Sequence, residues 1–147
     1  MGNRFELKKG FTLVEILIVA AILVLISFYT VPATLNFFKS QDLDGTVQEV
    51  LQTLRRAQAK AMAQEGDSLF GVYFFPHQFV LFKGSSYAAR DASYDEIFNI
   101  SDSINISGLN EVVFKKSSGL PQNIGSITLN NNIDLKEIQI KSSGLIE

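Results

Sequence analysis

The sequence predicts an α+β domain in which one long N-terminal helix packs against an antiparallel β-sheet. Two observations predict this class. The N-terminal part of the chain, up to about residue 66, carries apolar residues and good helix formers at helical spacing. From residue 67 onward, β-branched and aromatic residues alternate with clusters of Gly, Asn, Ser and Asp. A helix followed by a series of short strands is typical of the α+β layout.

Composition divides the 147 residues into four stretches: 1–10, 11–38, 39–66 and 67–147. The first is polar and basic and ends in Gly10, and the second is an apolar run. No charged residue stands between Glu15 and Lys39. Those 23 positions would cover roughly 34 Å as a helix, enough for the ~30 Å hydrocarbon layer of a bilayer. We therefore expect a membrane-spanning helix over residues 11–38.

The charge distribution orients this helix. Three basic residues (Arg4, Lys8 and Lys9) and one acidic residue (Glu6) give the first ten residues a net charge of +2, which leaves −4 for the remainder. A basic segment before an apolar run keeps the N-terminus cytoplasmic and sends the following residues across the membrane. The acidic remainder gives no electrostatic support for nucleic-acid binding, which depends on neutralising phosphates.

Residues 39–66 read as an amphipathic continuation of the helix. Pro32 and Gly45 disfavour helix interior and predict a kink or local looseness. Gly66 and Asp67 are expected to end the helix. The apolar stripe expected to face the sheet consists of Val47, Val50, Leu51, Leu54, Ala57, Ala61 and Met62.

Residues 67–147 read as short strands joined by turns. A hairpin is expected around Pro76 and His77, with His77 as a turn residue and not a ligand. The polar segment Lys83–Ser93 reads as a surface loop. The expected strands are Leu69–Phe75, Gln78–Phe82, Glu96–Ile100, Asn105–Ile106, Glu111–Lys115, Ser126–Asn130 and Leu135–Lys141.

Composition also restricts the chemistry. The chain has no cysteine and one histidine, which excludes disulfides, thiolate nucleophiles and thiolate or histidine-rich metal sites. We expect no metal, no cofactor and no catalytic residue, because no motif brings a nucleophile and a base together. The protein is therefore expected not to be an enzyme.

The most specific motif runs from Lys8 to Glu15, with the sequence Lys-Lys-Gly-Phe-Thr-Leu-Val-Glu, directly before the apolar run. A carboxylate in the first turns of a membrane helix is costly, about 2.5–3.5 kcal/mol at the bilayer centre. The cost calls for a compensating partner. This octet resembles the processing site of type IV prepilins and of type II secretion pseudopilins.

The resemblance assigns a role to several residues. It implies that residues 1–10 are a leader, that a prepilin peptidase cuts between Gly10 and Phe11, and that Phe11 becomes N-methylated. In that family the glutamate at the position of Glu15 pairs with the free N-terminal amine of a neighbouring subunit during assembly. Pro32 fits a proline commonly seen in such helices.

A looser resemblance covers most of the remaining chain. The stretch from Leu51 to Gly66, with Leu-Arg-Arg-Ala-Gln-Ala-Lys-Ala-Met, looks like the helix of minor pseudopilins of the GspH/FimT type. The segments Gly71–Phe75, Ile127–Leu129 and Ile138–Ile140 are similar to strands of that family. Gln58 departs from the pattern, which usually has arginine there.

These resemblances imply a structural subunit, a minor pilin or pseudopilin, of a type IV pilus or a type II secretion-like filament. Its partners would be the prepilin peptidase, other pilins, and the inner-membrane assembly platform with its ATPase. It would first cross the bacterial inner membrane once, and would then enter a periplasmic or extracellular filament. Two alternatives stay open: a minor pilin of a DNA-uptake pilus, and a membrane-anchored β-rich domain unrelated to pili.

Overall fold

The computed structural model describes residues 10–147, except for the side chains of residues 29–33. One long helix, α1, covers Leu13–Met62 and is followed by a short 3₁₀ turn at Glu65–Asp67. A second 3₁₀ turn covers Tyr87–Ala89. The strands are β1 (Phe70–Phe75), β2 (Gln78–Gly84), β3 (Arg90–Asn99), β4 (Asn105–Gly108), β5 (Glu111–Phe114), β6 (Gly125–Asn130) and β7 (Leu135–Ile140).

The chain divides into two units, Met1–Phe37 and Phe38–Glu147. In the first unit, the described residues are residues 10–12 and the beginning of α1. Helix α1 continues through Pro32 and Gly45 without a break. The kink expected at Pro32 stays a prediction.

In the second unit, the rest of α1 packs against two antiparallel sheets. One sheet has the strand order β3-β2-β1-β5 and the other the order β4-β6-β7. The predicted α+β class, with a long helix on antiparallel strands, is confirmed. The single sheet that the sequence suggested is in fact divided into two.

Residues spaced by three, four and seven positions form the buried face of α1, as amphipathic periodicity requires. They meet alternate residues of the strands in one apolar core. Met62, the last residue of the helix, was expected in this stripe but is 47% exposed. The fully buried helix residues are Leu43, Val50, Leu54, Ala57 and Ala61, with Val47 and Leu51 partly buried beside them.

The strand predictions hold in number and order, with shifted ends. The largest shift is in β3, which begins at Arg90 and not at Glu96, so the expected loop Lys83–Ser93 is partly strand. His77 lies in the turn between β1 and β2, where its carbonyl accepts a hydrogen bond from the Ile100 amide. Its prediction as a turn residue is confirmed.

Gln58 ties two loops to the helix. Its Nε2 donates to the carbonyl oxygens of Gly119 and Gly144, each at 2.9 Å. Both glycines have positive φ, 63° and 83°, and a Cβ on either one would lie within 3 Å of a helix side chain. The close approach of both loops to α1 therefore requires glycine.

The turn between β6 and β7 is fastened to the beginning of the second unit. Asn131 is buried, with 3% of its surface exposed, and its Nδ2 donates to the carbonyl of Lys39 at 2.8 Å. Its Oδ1 accepts from the amides of Ile133 and Asp134. Since a buried amide is costly unless its hydrogen bonds are made, Asn131 fixes this turn against the helix.

Candidate functional site: the helix N-terminus

The first turn of α1 begins with a capping residue. Thr12 lies just before the helix, and its Oγ1 accepts a hydrogen bond from the Glu15 amide at 3.2 Å. The Thr12 carbonyl accepts the first helical bond, from the Ile16 amide. A threonine followed three residues later by glutamate is the sequence signature of a capping box. Thr12 therefore sets the starting residue of the helix.

Glu15 is the third residue of helix α1, which Thr12 caps. A carboxylate in the first turn is favoured by the partial positive charge at a helix N-terminus. The Glu15 side chain is exposed. It therefore stands on the helix surface, within reach of a group supplied from outside the described chain.

The Gly10–Phe11 peptide bond precedes the helix. Both residues lie outside regular secondary structure and are exposed, Phe11 by 80%. A Cβ placed on Gly10 would meet nothing within 4 Å. Within the described residues, the fold therefore imposes no requirement for glycine at position 10, and the bond is sterically open to a peptidase.

The helix that follows presents apolar side chains on every face. From Leu13 to Phe28, the large apolar residues are about half to three-quarters exposed, with Leu13 at 77% and Val19 at 49%. A helix that is apolar on all sides is normally buried in the core of a large protein or in a membrane. Lipid or the helices of other subunits are the surroundings that such an apolar surface fits.

Within the described residues, no helix combines the length and the apolar character needed to cross a membrane.

The predicted site residues fall into two groups. The structure brings Gly10, Phe11 and Glu15 together at the start of α1. Lys8 and Lys9, with the rest of the leader up to residue 9, lie outside the described residues, and so does the side chain of Pro32. Among residues 10–147, no three His, Cys, Asp or Glu side chains converge as a metal site would require.

Sequence reasoning did not single out Thr12, although the Thr-x-x-Glu spacing was visible. It noted Gln58 only as a departure from a family pattern and did not consider Asn131. The partners of Gln58 are 61 and 86 residues away along the chain, and the Asn131 partner is 92 residues away. No local signal could have identified those contacts.

Comparison with known proteins identifies the N-terminal segment. Residues 7–28 match the family model of the prokaryotic N-terminal methylation motif. Searches against curated proteins and against solved structures found no match.

The matched residues include Gly10, Phe11 and Glu15 and extend into the apolar helix. Together with the long helix packed on antiparallel strands, they support a type IV pilin-like or pseudopilin subunit that carries a prepilin processing motif. Such a motif points to a structural protein.

Proposed function

We propose that this protein is a minor pilin or pseudopilin, cut after Gly10, N-methylated at Phe11, and assembled into a filament through its N-terminal helix. The observation that carries the proposal is the methylation motif over residues 7–28, at the start of a helix whose apolar side chains are exposed. The GspH/FimT type of minor pseudopilin is the subfamily we favour, on the residues between Leu51 and Gly66.

Before assembly, the protein is anchored in the bacterial inner membrane through residues 11–38, with residues 1–10 in the cytoplasm. The methylation motif and the basic leader support this placement. The second unit, Phe38–Glu147, is the globular unit of the protein and then lies in the periplasm. The assembly platform and its ATPase transfer the processed subunit into a periplasmic or extracellular filament.

In the filament, apolar residues of the first unit pack against the helices of other pilins. Glu15 becomes the partner of a neighbouring Phe11 amine. A carboxylate buried without a partner is strongly destabilising, so the pair favours one axial offset between subunits. This pairing gives Glu15 a role in assembly.

Glu15→Ala tests this role in cells that hold the remaining filament components. We expect processed protein to accumulate in the membrane fraction and to be lost from sheared or co-purified filaments. Glu49→Ala is the matched control, because Glu49 is an exposed glutamate on the same helix within the second unit. Incorporation of Glu15→Ala at the level of Glu49→Ala would refute the assembly role.

A further inference from the structure

The turn that joins β6 to β7 and the first residue of β7 each carry one exposed apolar side chain. Ile133 is 44% exposed and Leu135 is 62% exposed. Their neighbours in the turn are asparagines and an aspartate, which hydrogen-bond within the turn. Isolated exposed apolar residues are ordinary on protein surfaces. This pair is distinguished by its position near Lys39, and not by the area that it exposes.

Three contacts hold this turn to the first residues of the globular unit. Asn131 donates to the Lys39 carbonyl, and the Ser40 hydroxyl donates to Asp134 at 2.5 Å. Lys136 forms a 3.0 Å ion pair with Asp44. Hydrogen bonding to Asp44 raises the pKa of Lys136.

Lys39 is the first charged residue after Glu15 and marks the end of the apolar run. If residues 11–38 are anchored in the bilayer, chain continuity places Lys39 at the lipid–water interface. The turn is bonded to the backbone of Lys39 itself and to the Ser40 side chain. It therefore lies at the same depth.

We propose that Ile133 and Leu135 insert into the interfacial layer of the bilayer before assembly and hold the globular unit against the membrane. This inference rests on the membrane anchoring in the proposed function. Transfer of apolar side chains out of water favours the contact, and lysine stems can extend so that their ammonium groups reach the headgroups.

The charges around the turn define which lipid it fits. The two cations, Lys39 and Lys136, are accompanied by four anions, Asp42, Asp44, Asp134 and Glu137. This balance gives no attraction to anionic headgroups, which bind clusters of basic residues. The contact is therefore apolar and is expected on zwitterionic lipid.

Single-cysteine labelling tests the proposal on the full chain, because the natural sequence has no cysteine. Leu135→Cys carries a polarity-sensitive fluorophore, and the protein is reconstituted into phosphatidylcholine vesicles with and without a lipid-borne quencher. Ile133→Cys repeats the measurement at an independent position.

Two further sites complete the design. Leu145→Cys is the matched control, since Leu145 is 48% exposed and follows Gly144, which is bonded to Gln58. Gln58 is 19 residues beyond Lys39, about 28 Å further along the helix. Val19→Cys, in the apolar run, reports whether the anchor itself is in lipid.

We expect blue-shifted emission and lipid-dependent quenching at positions 133 and 135, and neither at position 145. If 133 and 135 behave like 145 while Val19→Cys is quenched, the inference is wrong and the anchor stands. If Val19→Cys is not quenched, the anchoring part of the proposed function fails, and the inference fails with it. Quenching at 133 and 135 that requires anionic lipid would also overturn the apolar contact.

Discussion

Replacement of Gln58 by alanine tests how the globular unit is held together. Gln58 is partly buried, and its amide donates to two loop carbonyls at 2.9 Å. One loop joins β5 to β6, and the other lies between β7 and the C-terminus. The alanine variant removes both donors and leaves the Gly119 and Gly144 carbonyls without these partners.

The magnitude follows from those two bonds. A net contribution of about 1 kcal/mol for each hydrogen bond gives a loss of about 2 kcal/mol in the free energy of unfolding. That loss corresponds to roughly a 30-fold change in the unfolding equilibrium. For the unit Phe38–Glu147, it would lower Tm by roughly 8–10 °C.

The assay is thermal unfolding of the full chain in detergent micelles, followed by near-UV circular dichroism of the tyrosines. Gln48→Ala is the control, because Gln48 is exposed on the same helix. Gln58→Glu is nearly isosteric and places a carboxylate against two carbonyl oxygens, so we expect it to be no more stable than Gln58→Ala at neutral pH. If Gln58→Ala had the same Tm as Gln48→Ala and the natural protein, the reasoning would be refuted.

Three further changes test other parts of the second unit. Asn131→Ala should speed hydrogen exchange of the amides near Lys39 and in the β6–β7 turn. Unchanged exchange there would contradict the role of Asn131 in fixing this turn against the helix. The hydrogen bond from Lys116, reinforced by its charge, lowers the pKa of Asp67. The stability from that pair is present above the ordinary aspartate pKa and is lost as pH falls below about 4. Lys116→Ala should therefore raise the Asp67 pKa in a carboxyl NMR titration, and an unchanged value would argue against the pair. Leu54→Ala, at a fully buried position, should cost about 2–5 kcal/mol in urea unfolding. A cost below about 1 kcal/mol would show that Leu54 lies outside the core.

The elements of the fold were largely predictable because their signals are local. The helical stripe and the alternation in the strands depend on residues a few positions apart, and all seven strands were expected in order. The extension of β3 back to Arg90 was missed because its first residues are largely exposed and lack apolar alternation. Edge strands generally give weak patterns of this kind.

The division into two sheets and the fastening of the loops were not predictable. Both depend on residues far apart in sequence, such as Gln58 with Gly144 and Asn131 with Lys39.

The candidate site, in contrast, was identified mainly from a local sequence motif. Gly10, Phe11 and Glu15 were identified from eight consecutive residues, and the match over residues 7–28 covers them. The structure adds the Thr12 cap and the open peptide bond before the helix. The roles of these three residues in cleavage, methylation and pairing stay predictions.

The intact mass of the membrane-extracted protein, with and without the prepilin peptidase, tests the central claim most directly. We predict a peptidase-dependent product that starts at methylated Phe11, and no such product from Gly10→Val. Position 10 is open in the described chain, so loss of cleavage in that variant would reflect the peptidase and not the fold. A full-length chain in the presence of the peptidase, or a cut near residue 30, would contradict the account.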